Sequence, residues 1–257
     1  MAVLKYDEEA AKKLLAVYTT PDVERQRLEF LDAINLKEKE IVLDVGSGPG
    51  FLSRSMAKKV GPNGIVWGIE ISEFFIDLAK SKNKDMPSIG FKYGDATDTG
   101  FSGEEFDKVV CTQVLEYVQD VDAALIEFNR VLKKGGEVCL LDTDWDSIVW
   151  NHSDAVKMSK ILKAWESHAT DPFLPRTLGS KLIQAGFKVK KVKVIPIFNS
   201  CYDQHTYSNK MIDLIVEYVV KNGLIKQENA ESWAKELRNQ ENYFFSLNRY
   251  LFIGVKI

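Results

Sequence analysis

Four short stretches of this 257-residue chain hold residue types that bind ligands or react. The first is Asp44-Val45-Gly46-Ser47-Gly48-Pro49-Gly50, an acid followed by three glycines at alternate positions. Glycine is required where φ is positive or where a ligand approaches the backbone closely, so this spacing reads as a ligand loop rather than an ordinary tight turn. The second is the lone acid of Gly68-Ile69-Glu70-Ile71-Ser72, and the third is Gly94-Asp95-Ala96. The fourth is Asp142–Trp150, in which three acids stand among two tryptophans.

The loop has one serious rival reading. A dinucleotide fingerprint is GxGxxG, with the pyrophosphate received at a helix N-terminus. Here the third glycine comes one residue early, and Asp44 would repel a pyrophosphate while suiting a cationic or amine-bearing ligand. The spacing therefore favours a nucleoside without phosphates. An NAD-dependent oxidoreductase on a similar sheet, or a non-catalytic cofactor-binding protein, stays open as the alternative.

The elements around these stretches alternate. Ile41–Val45, Gly64–Ile69, Phe91–Tyr93, Phe106–Cys111 and Glu137–Asp142 read as short buried strands, with helices over about 51–60, 72–82 and 122–132 between them. Lys133-Lys134-Gly135-Gly136 reads as a helix stop. Such alternation predicts a parallel sheet covered on both faces. Ahead of it, residues 8–34 read as helical with a break at Pro21 and Thr20 as the cap. Behind it, helices are expected over 153–169, 177–184, 207–220 and 229–245, an exposed strand over 187–198, and a last strand at Tyr250–Lys256.

Taken together, Asp44–Gly50, Glu70, Gly94–Ala96 and the strand end Cys111–Glu116 resemble the class I S-adenosylmethionine-dependent methyltransferases, in particular the small-molecule group with the ubiquinone and menaquinone enzymes. The resemblance is strong over roughly residues 40–145. It implies an α/β, Rossmann-like, doubly wound sheet of seven strands, the last antiparallel, within a single domain over 1–257. The cofactor core would span about 36–145, with helical cap elements at about 1–35 and 203–246. In such a site Asp44, Gly46, Ser47, Gly48 and Gly50 form the loop, and Glu70 accepts the ribose hydroxyls. Ile71 lies against the adenine, while Asp95 and the Ala96 amide, after Gly94, meet its edge. The backbone of Cys111, Thr112 and Gln113 faces the methionine part. Tyr18 and Arg25 are the candidates from the N-terminal helices, Arg25 as a partner for the methionine carboxylate.

Acceptor-side candidates follow the fifth strand, the rim where ligands bind in such sheets. Asp144 and Asp146 are tentative bases, and Trp145, with Tyr207 and Met211 from a C-terminal lid, would line an apolar pocket. His152 and His168 read as surface residues. The expected chemistry is methyl transfer to O, N or C of a small, apolar or aromatic acceptor. A net charge of −3 argues against nucleic acid as the partner. No run approaches the length of a membrane span, and the N-terminus shows no apolar leader. Three widely spaced cysteines predict no metal site and a reducing, cytoplasmic setting. A monomer or a homodimer is equally compatible.

Overall fold

The computed structural model describes residues 8–257, with side chains from Lys12 onward. Residues 1–7, part of the expected cap and of the stretch read for a leader, lie outside the described residues. Helix α1 (Glu8–Tyr18) leads into α2 (Pro21–Ile34), which opens on proline and closes at Asn35 in the left-handed region. Thr20 stands at the cap position, but its hydroxyl donates back to the Val17 carbonyl, so it caps nothing.

There follow β1 (Ile41–Val45), α3 (Phe51–Val60), β2 (Ile65–Glu70), α4 (Glu73–Lys82), β3 (Ile89–Tyr93), β4 (Phe106–Thr112), α5 (Val121–Val131) and β5 (Leu132–Thr143). The later part holds β6 (Val149–Trp150), α6 (Ala155–Trp165), α7 (Pro175–Gln184), β7 (Phe187–Asn199), α8 (Tyr207–Lys221), α9 (Gln227–Arg238) and β8 (Phe245–Lys256). Strands run in the order β3-β2-β1-β4-β5-β8, with β7 on the far side of β8 and the two-residue β6 pairing the start of β8. Pairs among β1 to β5 are parallel, and β8 is antiparallel to its neighbours.

Alternation along the strands divides the core in two. Leu43, Val45, Val109 and Cys111 face α5 and α7, whereas Val42, Val66 and Val110 face α2 and α3. A third cluster joins Trp145 and Trp150 to α6, α8 and α9.

Two expectations are corrected. Lys133–Gly136 does not end α5: the helix stops at Val131, and these residues bulge out of β5 between the pairs Phe106–Leu132 and Lys108–Glu137. Gly135, at φ +77°, makes that bulge. The last helix ends at Arg238, and Phe245 starts a strand five residues ahead of Tyr250. Phe245, Leu247 and Arg249 alternate inward, so strand periodicity outcompeted the helical spacing of the aromatic residues before it.

Candidate functional site

Because β1 to β5 are parallel, their carboxyl ends share one edge. Register puts Val45 beside Ile69 and Cys111, and Glu70 beside Tyr93. The loops after these strands gather there. In the first, the amides of Gly46 and Ser47 both donate to the Ile69 carbonyl, binding the loop to the end of β2. Gly46 sits at φ +68°, and a Cβ on it would lie 2.2 Å from Val114 Cγ2. Gly48, at φ +51°, has nothing within 4 Å of where its Cβ would be. The Ser47 hydroxyl is enclosed without a partner among the described residues. Asp44 is turned away from the opening: it is buried under the loop and accepts the Ser53 hydroxyl at 2.5 Å. Burial pushes its carboxyl up to about 7 against the pull of that bond.

Glu70 closes the other side of the loop. Its Oε2 accepts the Gly48 amide at 3.0 Å, and Oε1 accepts those of Ile71 and Ser72, each at 3.0 Å. Burial raises this carboxyl too, with the three amides opposing. Ile71 is 40% exposed beside it. Gly94 follows on the same edge, its amide bonded to the Glu70 carbonyl. Asp95 is exposed and spends Oδ1 on the amide and hydroxyl of Thr97. Ala96 is buried.

Past β4 the chain turns at Gln113, φ +57°. Its side chain is locked, donating to the Leu141 carbonyl and accepting the Thr143 hydroxyl at 2.5 Å. Cys111 is buried, and desolvation lifts its thiol far above the reactive range, so it is a core residue whose backbone alone reaches the edge. Thr112 is half-buried beside it.

Next lies a buried polar network that sequence reasoning largely missed. Glu116 is fully enclosed, with Oε2 on the Thr143 amide at 3.1 Å. Asp142, also enclosed, faces the amides of Val114, Leu115 and Glu116. Burial raises both carboxyls, and their proximity raises Glu116 further. Arg249 of β8 supplies the compensating charge. It donates to Thr143 Oγ1 at 3.2 Å and to Tyr207 Oη at 3.1 Å, and it also bonds Gln26. Tyr18 joins this group: desolvation and the charge of Glu70 push its phenol up to about 12 while Arg249 opposes them. One arginine thus ties α2 and α8 to the end of β5. An inward-facing charge on a buried strand is the signal that marks it, visible once β8 is started at Phe245.

Other predicted residues stand elsewhere. Arg25 is largely exposed and pairs with Asp22. Asp144 is held by Arg176 through both oxygens, at 2.9 and 3.0 Å, and caps the turn after β5. Asp146 is exposed and bonds the same guanidinium at 2.7 Å. Tyr207 reaches the network through its hydroxyl, whereas Met211 packs into the cap core with Trp145. Two surface grooves, of about 560 and 390 Å³, are lined by residues 149–151, 200 and 241–244 and by residues of α8 and α9 with Asn239, and neither includes a residue of the glycine loop.

Comparison with known proteins shows the family. A family model described as a methyltransferase domain matches residues 36–241. The chain belongs to this methyltransferase family. An uncharacterized 37.1 kDa protein in transposon Tn4556 of Streptomyces fradiae is 30% identical over 70% of this chain and 52% of its own length. Demethylmenaquinone methyltransferase of Staphylococcus saprophyticus is 38% identical over 46% of this chain and 50% of its own. The chain thus spans about half the length of these curated relatives. Among solved structures, the YcgJ protein of Bacillus subtilis superposes with a TM-score of 0.64 at 16% identity, covering 91% of this chain and 98% of its own. Haemonchus contortus phosphoethanolamine N-methyltransferase 2, solved with S-adenosyl-L-methionine, gives 0.64 at 17% identity over 99% of this chain and 58% of its own. At such identities the superpositions show a shared class I fold. The cofactor of the class is S-adenosylmethionine, and the open face of Gly48, the unpartnered Ser47 hydroxyl and the Glu70 carboxylate fit a nucleoside at this edge.

Proposed function

We propose that this chain transfers a methyl group from S-adenosylmethionine to a small, apolar or aromatic acceptor. One observation carries the reading: the Glu70 carboxylate and the glycine loop are bonded face to face, with the Gly48 side open, at the carboxyl edge of a parallel sheet. When bound, the cofactor supplies a methyl group already activated on a sulfonium. The protein then has to hold two reactants in line and exclude water.

The first half of that task falls to β1 to β3. The loop residues Gly46, Ser47, Gly48 and Gly50 supply close backbone approach. A carboxylate offers about four acceptor sites, and backbone amides occupy three at Glu70, so taking both ribose hydroxyls requires it to release one of those amides. Ile71, Gly94, Asp95 and Ala96 form the lip assigned to the base. The second half falls to the ends of β4 and β5, where Thr112 stands beside a Gln113 held by Leu141 and Thr143, and Tyr18 is buried close to the network. Trp145 and Tyr207 are assigned to the acceptor wall, with Met211 behind them. Asp144 and Asp146 are engaged by Arg176, and we assign them to anchoring α7 rather than to proton transfer. Arg25 is assigned to the α2 surface.

The relative named a demethylmenaquinone methyltransferase supports a small-molecule acceptor, as does the net charge of −3 against nucleic acid. Free cysteines support a cytoplasmic setting, and no helix among the described residues is long and apolar enough to cross a membrane. The test is transfer of tritiated methyl into a cell extract, followed by identification of the product. Label in a small apolar compound is expected. Label in nucleic acid, or no label from protein that binds S-adenosylhomocysteine, would contradict the proposal.

A further inference from the structure

His168 stands at the other end of the site. It closes the single 3₁₀ turn after α6, and the chain beyond it is clamped across the ends of β4 and β5. The amides of Thr170 and Asp171 donate to the Glu116 carbonyl at 2.9 and 3.0 Å, and the Trp145 amide donates to the Pro172 carbonyl at 3.0 Å. The imidazole stacks on Trp165 at 3.7 Å and meets Trp145, Tyr117 and Tyr218 edgewise at 4.6, 5.8 and 6.2 Å. It is therefore walled by aromatic rings beside the strand ends where an acceptor belongs.

Its protonation pattern follows from its neighbours. Nδ1 lies 2.6 Å from the Trp165 carbonyl oxygen, which can only accept, so Nδ1 carries the hydrogen and Nε2 the lone pair. Burial pushes the ring down to about 4, which keeps it neutral in ordinary buffers. Nε2 is enclosed and finds no hydrogen-bond donor among the described residues. The indole nitrogens of Trp145 and Trp165, both enclosed, find no acceptor there either. Buried polar atoms in native proteins are nearly always paired. One acceptor and two donors left open within a single aromatic cluster match a group that both donates and accepts. A hydroxyl on an apolar or aromatic frame is such a group.

We propose that His168 is the acceptor-site base of this chain and that the acceptor is a hydroxyl compound, so that the reaction is O-methylation. The proposal rests on the methyl-transfer reading above. As the acceptor oxygen forms its bond to the methyl carbon, the carbon–sulfur pair stays on sulfur. The O–H bond breaks toward Nε2, the positive charge passes from the sulfonium to the imidazolium, and that proton then leaves to water. Trp145 and Trp165 orient the oxygen through their N–H groups.

The test uses the full chain saturated with S-adenosylhomocysteine, with 2-naphthol and naphthalene as probes. Histidine labelled with ¹⁵N reports on Nε2, and calorimetry reports affinity. Binding of 2-naphthol is expected to shift the His168 Nε2 resonance, and naphthalene to bind about tenfold more weakly. His168→Asn is expected to weaken 2-naphthol about tenfold while leaving S-adenosylhomocysteine affinity within about twofold. Trp165→Phe, which keeps the stacked ring, should weaken 2-naphthol by a smaller factor. A motionless resonance, equal affinity for the two probes, or a His168→Asn protein that binds 2-naphthol like wild type would overturn the proposal. Failure of wild type to bind S-adenosylhomocysteine would instead overturn the methyl-transfer reading beneath it.

Discussion

Gly46 and Gly48 share a left-handed backbone but answer different demands, which substitution should separate. Alanine at Gly46 meets Val114 at 2.2 Å, so Gly46→Ala should lower the melting temperature outright. Alanine at Gly48 meets only open space and a backbone strain of about 1–2 kcal/mol. Gly48→Ala should therefore stay folded and lose S-adenosylhomocysteine affinity, as checked by calorimetry beside a melting curve. Glu70→Ala should weaken the same ligand by about 1.5–3 kcal/mol, the size of charge-assisted bonds. Unchanged affinity would remove Glu70 from the site. Asp44 makes a prediction about pH. Its carboxyl rises from an ordinary 3.8 to about 7 in the folded protein, so folding favours the protonated form. The stability this contributes is complete below about pH 4 and is lost as pH rises through about 7. Urea unfolding without cofactor should show lower stability at pH 8 than at pH 5, and Asp44→Asn should flatten part of that slope. Identical slopes in the two proteins would contradict the buried-acid account.

At the scale of elements, the site depends on how the cap is fastened. Asp22 of α2 is buried, with Oδ2 accepting the Tyr207 amide at 2.7 Å at the start of α8 and Oδ1 accepting Asn199 at 3.1 Å. An aspartate from another element thus caps α8, where a carboxylate also suits the helix dipole. Asp22→Ala should destabilise the fold by about 1–3 kcal/mol. It should also speed hydrogen exchange in the first turn of α8 before it affects β1. Uniform exchange in both would mean that α8 has some other anchor. The same elements show what a sequence conveys. The glycine loop, Glu70 and Gly94–Ala96 were legible because each is a local pattern at a strand end, and the parallel edge makes such patterns meet. Arg249, Glu116 and His168 were not. Their roles come from partners 100 or more residues distant, as with Arg249 and Thr143, or from burial that local polarity conceals, as with His168. A strand start placed five residues late was enough to leave Arg249 outside the sheet.

Across the whole molecule, the sheet order divides the labour. Strands β1 to β3 carry the loop and acids assigned to the nucleoside, and β4 and β5 carry the polar network and the aromatic wall. The antiparallel β8 brings Arg249 back to join the cap to that edge. Strand–helix alternation predicted the parallel sheet covered on both faces, and the family resemblance implied its antiparallel last strand. In the cap, α8 lies where a helix was expected over 207–220, whereas the helix expected over 229–245 ends at Arg238, because aromatic residues there fit more than one period. The central claim is that this edge receives a sulfonium nucleoside and no dinucleotide. Isothermal titration of the purified chain with S-adenosylmethionine and, separately, with NAD tests it most directly. The account predicts saturable one-to-one binding of S-adenosylmethionine, weakened by Glu70→Ala, and no measurable heat with NAD. Saturable NAD binding without S-adenosylmethionine binding would contradict it.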